Sequence, residues 1–219
     1  MSLYKYVDVA EQISRSVVLS DDTMAKLAWL KTAAFYEFSL QRAIRDLYNS
    51  GNIGAYIDHH SRLINEQLIK AWREGMKEVD MDPDEMTDQE KTILQEIIDR
   101  EEDQVLDFAQ EIMDAREAKT PPPTSRAALW ANRYREVVNI AKTMAGQDKK
   151  FEWVLGPTEH CKSCLKLSGI VKRGSVWQKA GIYPQMAPNS NLECGGWNCQ
   201  CELVETTKPS RRGGFPRLP

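Results

Sequence analysis

No stretch of about 18 apolar residues occurs in the chain, so no membrane-spanning helix is expected. The N-terminal segment MSLYKYVDVAEQ has no basic cluster leading into an apolar core and does not read as a secretory leader. A reducing cytoplasm is therefore the expected site of synthesis, where stable disulfides are not favoured. The odd cysteine count, five, points the same way, because one thiol would be left over. Only three histidines are present. A Ser/His/Asp set, a Gly-rich phosphate loop and a clear carboxylate pair are all lacking, so an enzyme is not expected. With 29 Lys and Arg against 32 Asp and Glu, the balance does not suggest a dedicated nucleic-acid binder.

Charge is nevertheless uneven. Acids greatly outnumber bases from Asp80 to Glu117, whereas the last fourteen residues hold Lys208, Arg211, Arg212 and Arg217 and no acid. A length of 219 residues allows one sizeable domain or two small ones.

The first half reads as helical. Asp22 to Tyr48 contains neither Pro nor Gly, and Leu27, Leu30, Ala34 and Phe38 recur at helical spacing. Asn49-Ser50-Gly51-Asn52 is a stop signal. A second helix is predicted from Ala55 to Val79, with His60, Ile64, Leu68, Trp72, Met76 and Val79 on one face. Pro83 interrupts it. Thr87 and Glu90 form a capping-box pattern that starts a third helix. That helix runs to about Ala118 and buries Leu94, Ile98, Val105, Ala109 and Ile112, with its acidic face left to solvent. Three consecutive prolines in KTPPPTSR cannot continue a helix. The expected division is therefore a helical domain over 1–118, a Pro-rich linker over 119–125, a second unit over 126–205 and a basic flexible tail over 206–219. One more helix opens the second unit, Arg126 to Ala145, with Leu129, Trp130, Tyr134, Val137, Val138 and Ala141 as its apolar residues and Gly146 as its stop.

Beyond Lys150 the apolar runs shorten and Gly, Pro and Trp become frequent. A small module of strands and turns with little core of its own usually needs a staple. All five cysteines lie there, as C-x2-C at Cys161 and Cys164 and as C-x4-C-x-C at Cys194, Cys199 and Cys201. A C-x2-C turn lets two thiolates reach one tetrahedral ion, and a second loop supplies the rest. Zinc suits such ligands in a reducing cell. Cys161 and Cys164 are the firmest ligands. Two more come from Cys194, Cys199 and Cys201, with His160 as a weaker substitute, and spacing alone leaves the spare thiol open. A redox pair at Cys161 and Cys164 lacks the strand-to-helix context of thioredoxin-like motifs. An HNH-type nuclease lacks the histidines, since His160 is the only one in this half.

Three lesser features have plainer readings. His59-His60 is expected at the edge of the core with its hydrogen bonds satisfied. The segment DMDPDEMTDQEK lacks the Gly and Glu of a calcium loop and reads as an acidic interhelical turn. Trp153, Trp177 and Trp197 bracket the cysteines and are expected to pack around the metal loops, base stacking being secondary.

Trp153, Cys161, Cys164, Leu167, Gly169, Gly181, Pro184, Cys199 and Cys201 stand in an order that resembles the C-terminal region of phage head morphogenesis proteins, the minor head proteins of the Mu F type. The likeness covers about Trp130 to Leu203. Many relatives close with H-P-x-C-R-C; here the segment is G-W-N-C-Q-C preceded by Cys194, which stands in for the histidine. The resemblance implies a virion component rather than an enzyme, bound at the portal vertex inside the capsid. Its expected partners are the portal protein and the capsid or scaffold proteins, with packaged double-stranded DNA a further partner for the basic tail. Some relatives carry fused domains past the cysteine module; eighteen residues follow Cys201, and none is expected here. The expected fold class is thus a mainly α N-terminal helical region followed by a small α+β zinc-stapled module. A zinc-ribbon protein binding free nucleic acid is the rival expectation, motivated by the basic tail and the tryptophans.

Overall fold

The computed structural model describes residues 21–157, 159–197 and 199–218, with side chains from Ala34 onward. It is mainly helical with one small antiparallel sheet. Three long helices come first: α1 (Asp21–Ser50), α2 (Ile53–Lys77) and α3 (Asp88–Glu117). Each boundary has a local cause. Gly51, at φ +71°, turns the chain out of α1, its N–H reaching Leu47 O at 2.7 Å. Asn52 then caps α2 by accepting the Ala55 N–H at 3.1 Å. The Thr87–Glu90 capping box forms in full at the start of α3.

All six residues expected on the α2 stripe are buried, and so are the five expected on α3. The face of α1 differs from expectation. Leu27 and Leu30 lie outside the described side chains, and Phe38 is exposed. Tyr36, Leu40, Ala43, Ile44 and Leu47 form the buried side instead. These positions also keep helical spacing, and contact with α2 and α4 selects their face over that of Phe35 and Phe38.

After the proline segment and a short 3-10 turn at Thr124–Arg126 comes α4 (Ala127–Ala145). It packs along α2 on one side and against the small helix α6 (Gly174–Ala180) on the other. One apolar core therefore crosses the proline segment, from Tyr36 to Leu203. Two glycines allow the close approach. A methyl at Gly75 of α2 would lie 2.5 Å from the Val138 carbonyl oxygen, and one at Gly174 would lie 2.5 Å from that of Thr143. Residues 136–144 of α4 are buried all round, polar side chains included. Glu136 and Glu101 form a buried ionic group with Arg133 and Arg100, at 2.8 Å for Arg133 to Glu136 and 3.0 Å for Arg100 to Glu101. Burial alone would raise the Glu136 carboxyl, and the two guanidinium groups oppose that only in part.

The sheet has the order β2-β1-β3, from β1 (Lys150–Val154), β2 (Val171–Arg173) and β3 (Glu202–Glu205). Trp153 pairs with Leu203, and Phe151 with Lys172. Both outer edges are met from within the chain. Asn139 of α4 accepts the Leu203 N–H at 3.1 Å, and the Arg211 N–H reaches Val171 O at 3.1 Å. The basic tail is thus laid along the module. Lys172 donates to the carbonyls of Arg211 and Gly213, both at 2.6 Å, and Phe215 stacks on Trp177 with centroids 4.9 Å apart. Apolar contact with Trp177 and carbonyl capture by a lysine explain the placement, neither of which a Pro/Gly/Arg-rich composition announces. No helix among the described residues is long and apolar enough to cross a membrane.

Candidate metal centre

The cysteines sit where the two ends of the sheet module meet. Strand β1 delivers Trp153 into the core and leads by a short loop to His160 and Cys161. Cys161 caps helix α5 (Lys162–Leu167), its sulfur accepting the Cys164 N–H at 3.4 Å. That turn sets the C-x2-C pair on one side of the loop. The second cysteine segment returns beside it through three contacts. Ser163 Oγ accepts the Glu193 N–H at 2.9 Å, Glu193 accepts the Lys162 N–H at 2.7 Å, and a methyl at Gly156 would lie 2.1 Å from the Gln200 carbonyl oxygen. Ser163 and Glu193 escape sequence reasoning because nothing in their spacing marks them as partners.

Between Cys194 and Cys199 the chain reverses through Gly195 and Gly196, at φ +61° and +82°. Consecutive left-handed residues favour glycine. At Gly196 a methyl would also fall 1.8 Å from the Met186 carbonyl oxygen. The Gly-Gly dipeptide was the available signal for this turn. Cys201 immediately precedes β3 (Glu202–Glu205), so the last thiol is positioned by the start of the sheet strand.

All five cysteines come together, none in a disulfide. The sulfurs of Cys161, Cys164 and Cys194 lie within 4.8 Å of one another, as do those of Cys164, Cys199 and Cys201. Cys164 and Cys199 are 3.9 Å apart. Sulfurs sharing one tetrahedral zinc, each at about 2.3 Å, are separated by about 3.8 Å. Cys164 and Cys201 are buried, and the other three are partly exposed. His160 places Nδ1 3.8 Å from the Cys201 sulfur. Trp153 and Trp177 are fully buried with centroids 5.9 Å apart. Trp197 is 44% exposed and faces the Arg133 guanidinium at 5.9 Å. It therefore lies between the metal loop and the buried ionic group.

The thiols do not titrate alike. Contacts with the Cys164 and Cys199 sulfurs, aided by the Gly156 N–H, lower Cys201 to about 3. The neighbouring Cys199 and Cys201 sulfurs hold the proton on Cys164 and raise it. Burial raises Cys194 to about 11. Burial also acts to raise Cys161, but the Cys164 and Cys194 N–H groups outweigh it and the net shift is downward. Thiolate charge is thus favoured at two positions and opposed at the sulfurs between them. A soft cation relieves that conflict by binding neighbouring sulfurs as thiolates. The donor set can hold a metal ion.

His60, expected at the edge of the core, is instead fully buried. It lies between Tyr56 and Trp130, and neither ring nitrogen has a hydrogen-bond partner among the described residues. His59 and the acidic turn lie far from the thiols in the sequence and are not part of the cluster. Comparison with known protein families, curated proteins and solved structures yields no match for the chain.

Proposed function

We propose that the chain is a minor head protein of the Mu F type, a structural component of the virion without enzymatic activity. On this reading it binds at the portal vertex, and its cysteine module is held by structural zinc. What supports the reading is the convergence of the whole constellation. Trp153, Leu167 and Pro184 are buried, Gly169 and Gly181 take left-handed backbone conformations at φ +74° and +60°, and the five cysteines fall into two adjoining sets of three that share Cys164. Residues that matter to the pattern are those the module needs for its turns and its staple. Zinc fits five thiols with one imidazole beside them, because soft sulfur donors select it over harder cations.

The helices supply the surface for portal, capsid or scaffold proteins, and the capsid interior is the expected location. The test is co-expression with a portal protein from the same genome, followed by affinity capture, and mass spectrometry of purified virions. Absence from both the captured complex and the virion sinks the proposal.

A charge asymmetry favours a second reading. Residues 150–219 carry ten Lys and Arg against five Asp and Glu, so the zinc module with its tail could also be a nucleic-acid binder. A salt-dependent gel shift abolished by neutralising Lys208, Arg211, Arg212 and Arg217 supports it; no shift at low salt eliminates it.

A further inference from the structure

The five sulfurs are not gathered around a single point. They fall into two sets of three, and only Cys164 belongs to both. Beside the set of Cys164, Cys199 and Cys201 stands His160, its Nδ1 3.8 Å from the Cys201 sulfur but farther than 4.8 Å from at least one of the other two. A swing of the His160 ring on metal binding would complete a Cys3His group, a common four-donor set for zinc. Cys161 and Cys194, in the other set, are partly exposed, so a water molecule can serve as its fourth ligand.

We propose that the cluster takes two zinc ions, one in each set, bridged by the Cys164 thiolate. The proposal rests on the metal-staple reading above and goes beyond it in stoichiometry and in the role of Cys164. A thiolate sulfur has more than one lone pair and can bind two soft cations at once. Each thiol that binds releases its proton to solvent as its metal–sulfur bond forms.

Charge favours the paired arrangement. Five thiolates on one divalent ion would leave three negative charges uncompensated, and four would leave two and an idle thiol. Five thiolates on two ions, with a neutral imidazole, leave one. Cys164 and Cys201 are buried, where residual charge is costly to desolvate. The bridge also assigns a place to every cysteine, so none is spare.

The experiment uses the full chain, kept reduced and anaerobic, loaded with excess zinc and freed of loosely held metal by a weak chelating resin. Elemental analysis is expected to give two zinc ions per chain. One per chain overturns this proposal and leaves the staple reading standing; none overturns both. Cys194→Ser is expected to halve the content, since it touches only the more exposed set. An unchanged content in that variant overturns the proposal. Cys164→Ser is expected to lose both ions, but it risks unfolding the module, so a second measurement tests the bridge. Cadmium NMR of the Cd2+-loaded wild-type chain is expected to show two resonances split by each other through the shared sulfur. Two unsplit resonances overturn the bridge.

Discussion

Helices α1 to α3 and the cysteine module reach a buried interior by different means. The helices stack long periodic stripes in which Trp72, Tyr36, Phe108, Ile64 and Leu68 are almost wholly removed from water. Burial of that kind is worth roughly 1.5–3 kcal/mol for each large side chain and needs no special chemistry. The module has short strands of five, three and four residues and a handful of large side chains, chiefly Phe151, Trp153, Trp177 and Leu203. Smaller apolar residues such as Leu167, Ile170, Val171 and Leu192 and the thiols of Cys164 and Cys201 fill the rest. Their surfaces differ as well, with residues 21–149 carrying twenty-five acids against seventeen bases and the module the reverse bias. Local periodicity accounts for the interior of one region, whereas the other adds to a small apolar interior a cysteine cluster that can hold a metal ion, and the two share one core through α4.

Metal removal is the strongest way to break that contrast. A strong chelator applied to the reduced full chain is expected to abolish amide-exchange protection in β1, β2 and β3 while α2 and α3 keep theirs. Structural zinc carries on the order of 10 kcal/mol in small modules. Equal loss of protection in both regions would show that the two do not depend on different supports. The converse experiment is Trp72→Ala, which empties the centre of the helical stack. It is expected to cost about 3–5 kcal/mol in denaturant titrations and to leave the metal content unchanged.

Acid sharpens the comparison from the helical side. Burial, reinforced by neighbouring His59, lowers His60 to about 3 from an ordinary 6.5. Between those values the unfolded chain binds a proton that the folded chain refuses. The fold therefore has its full stability above pH 6.5 and loses it progressively as the pH falls towards 3, by on the order of a few kcal/mol. His60→Phe is expected to flatten this acid limb relative to wild type. Taking the difference between the two proteins cancels acid release of the metal, which both share. Parallel limbs in the two proteins would remove His60 as the cause.

The smallest expected effect lies at the joint. Asn139→Ala leaves the buried Leu203 N–H without its acceptor and is expected to cost about 1–3 kcal/mol. It should also speed amide exchange at Leu203 and separate the unfolding of the sheet from that of the helices. A single unshifted transition would mean that the hydrogen bond does not couple them.

The helices were legible because their signals are local. A stripe such as Ile64, Leu68, Trp72 and Met76, or a box such as Thr87 with Glu90, is contained within a few turns. The cysteine cluster was legible as a set for a similar reason: C-x2-C and C-x-C encode their own turns. What escaped depends on distant partners. Arg133 and Glu136 look like a solvent face of α4 until Glu101, more than thirty residues away, is known to lie against them. His60 sits on an apolar stripe, but only Trp130 arriving from α4 closes it off. Whether Phe38 or Tyr36 of α1 faces inward is likewise decided by which side α2 and α4 occupy. The sharing of Cys164 between two sets of thiols is a matter of depth within the cluster, which spacing does not encode.

Helix α4 has a mechanical consequence. Nineteen residues make a rod of about 28 Å. One flank bears on α2 through the notch at Gly75, and the other bears on the sheet through Asn139 and on α6 through the notch at Gly174. Such a rod has little slack at either seat. A displacement of α2 is therefore expected to carry α4 and, through Asn139 and Gly174, the sheet and α6 with it.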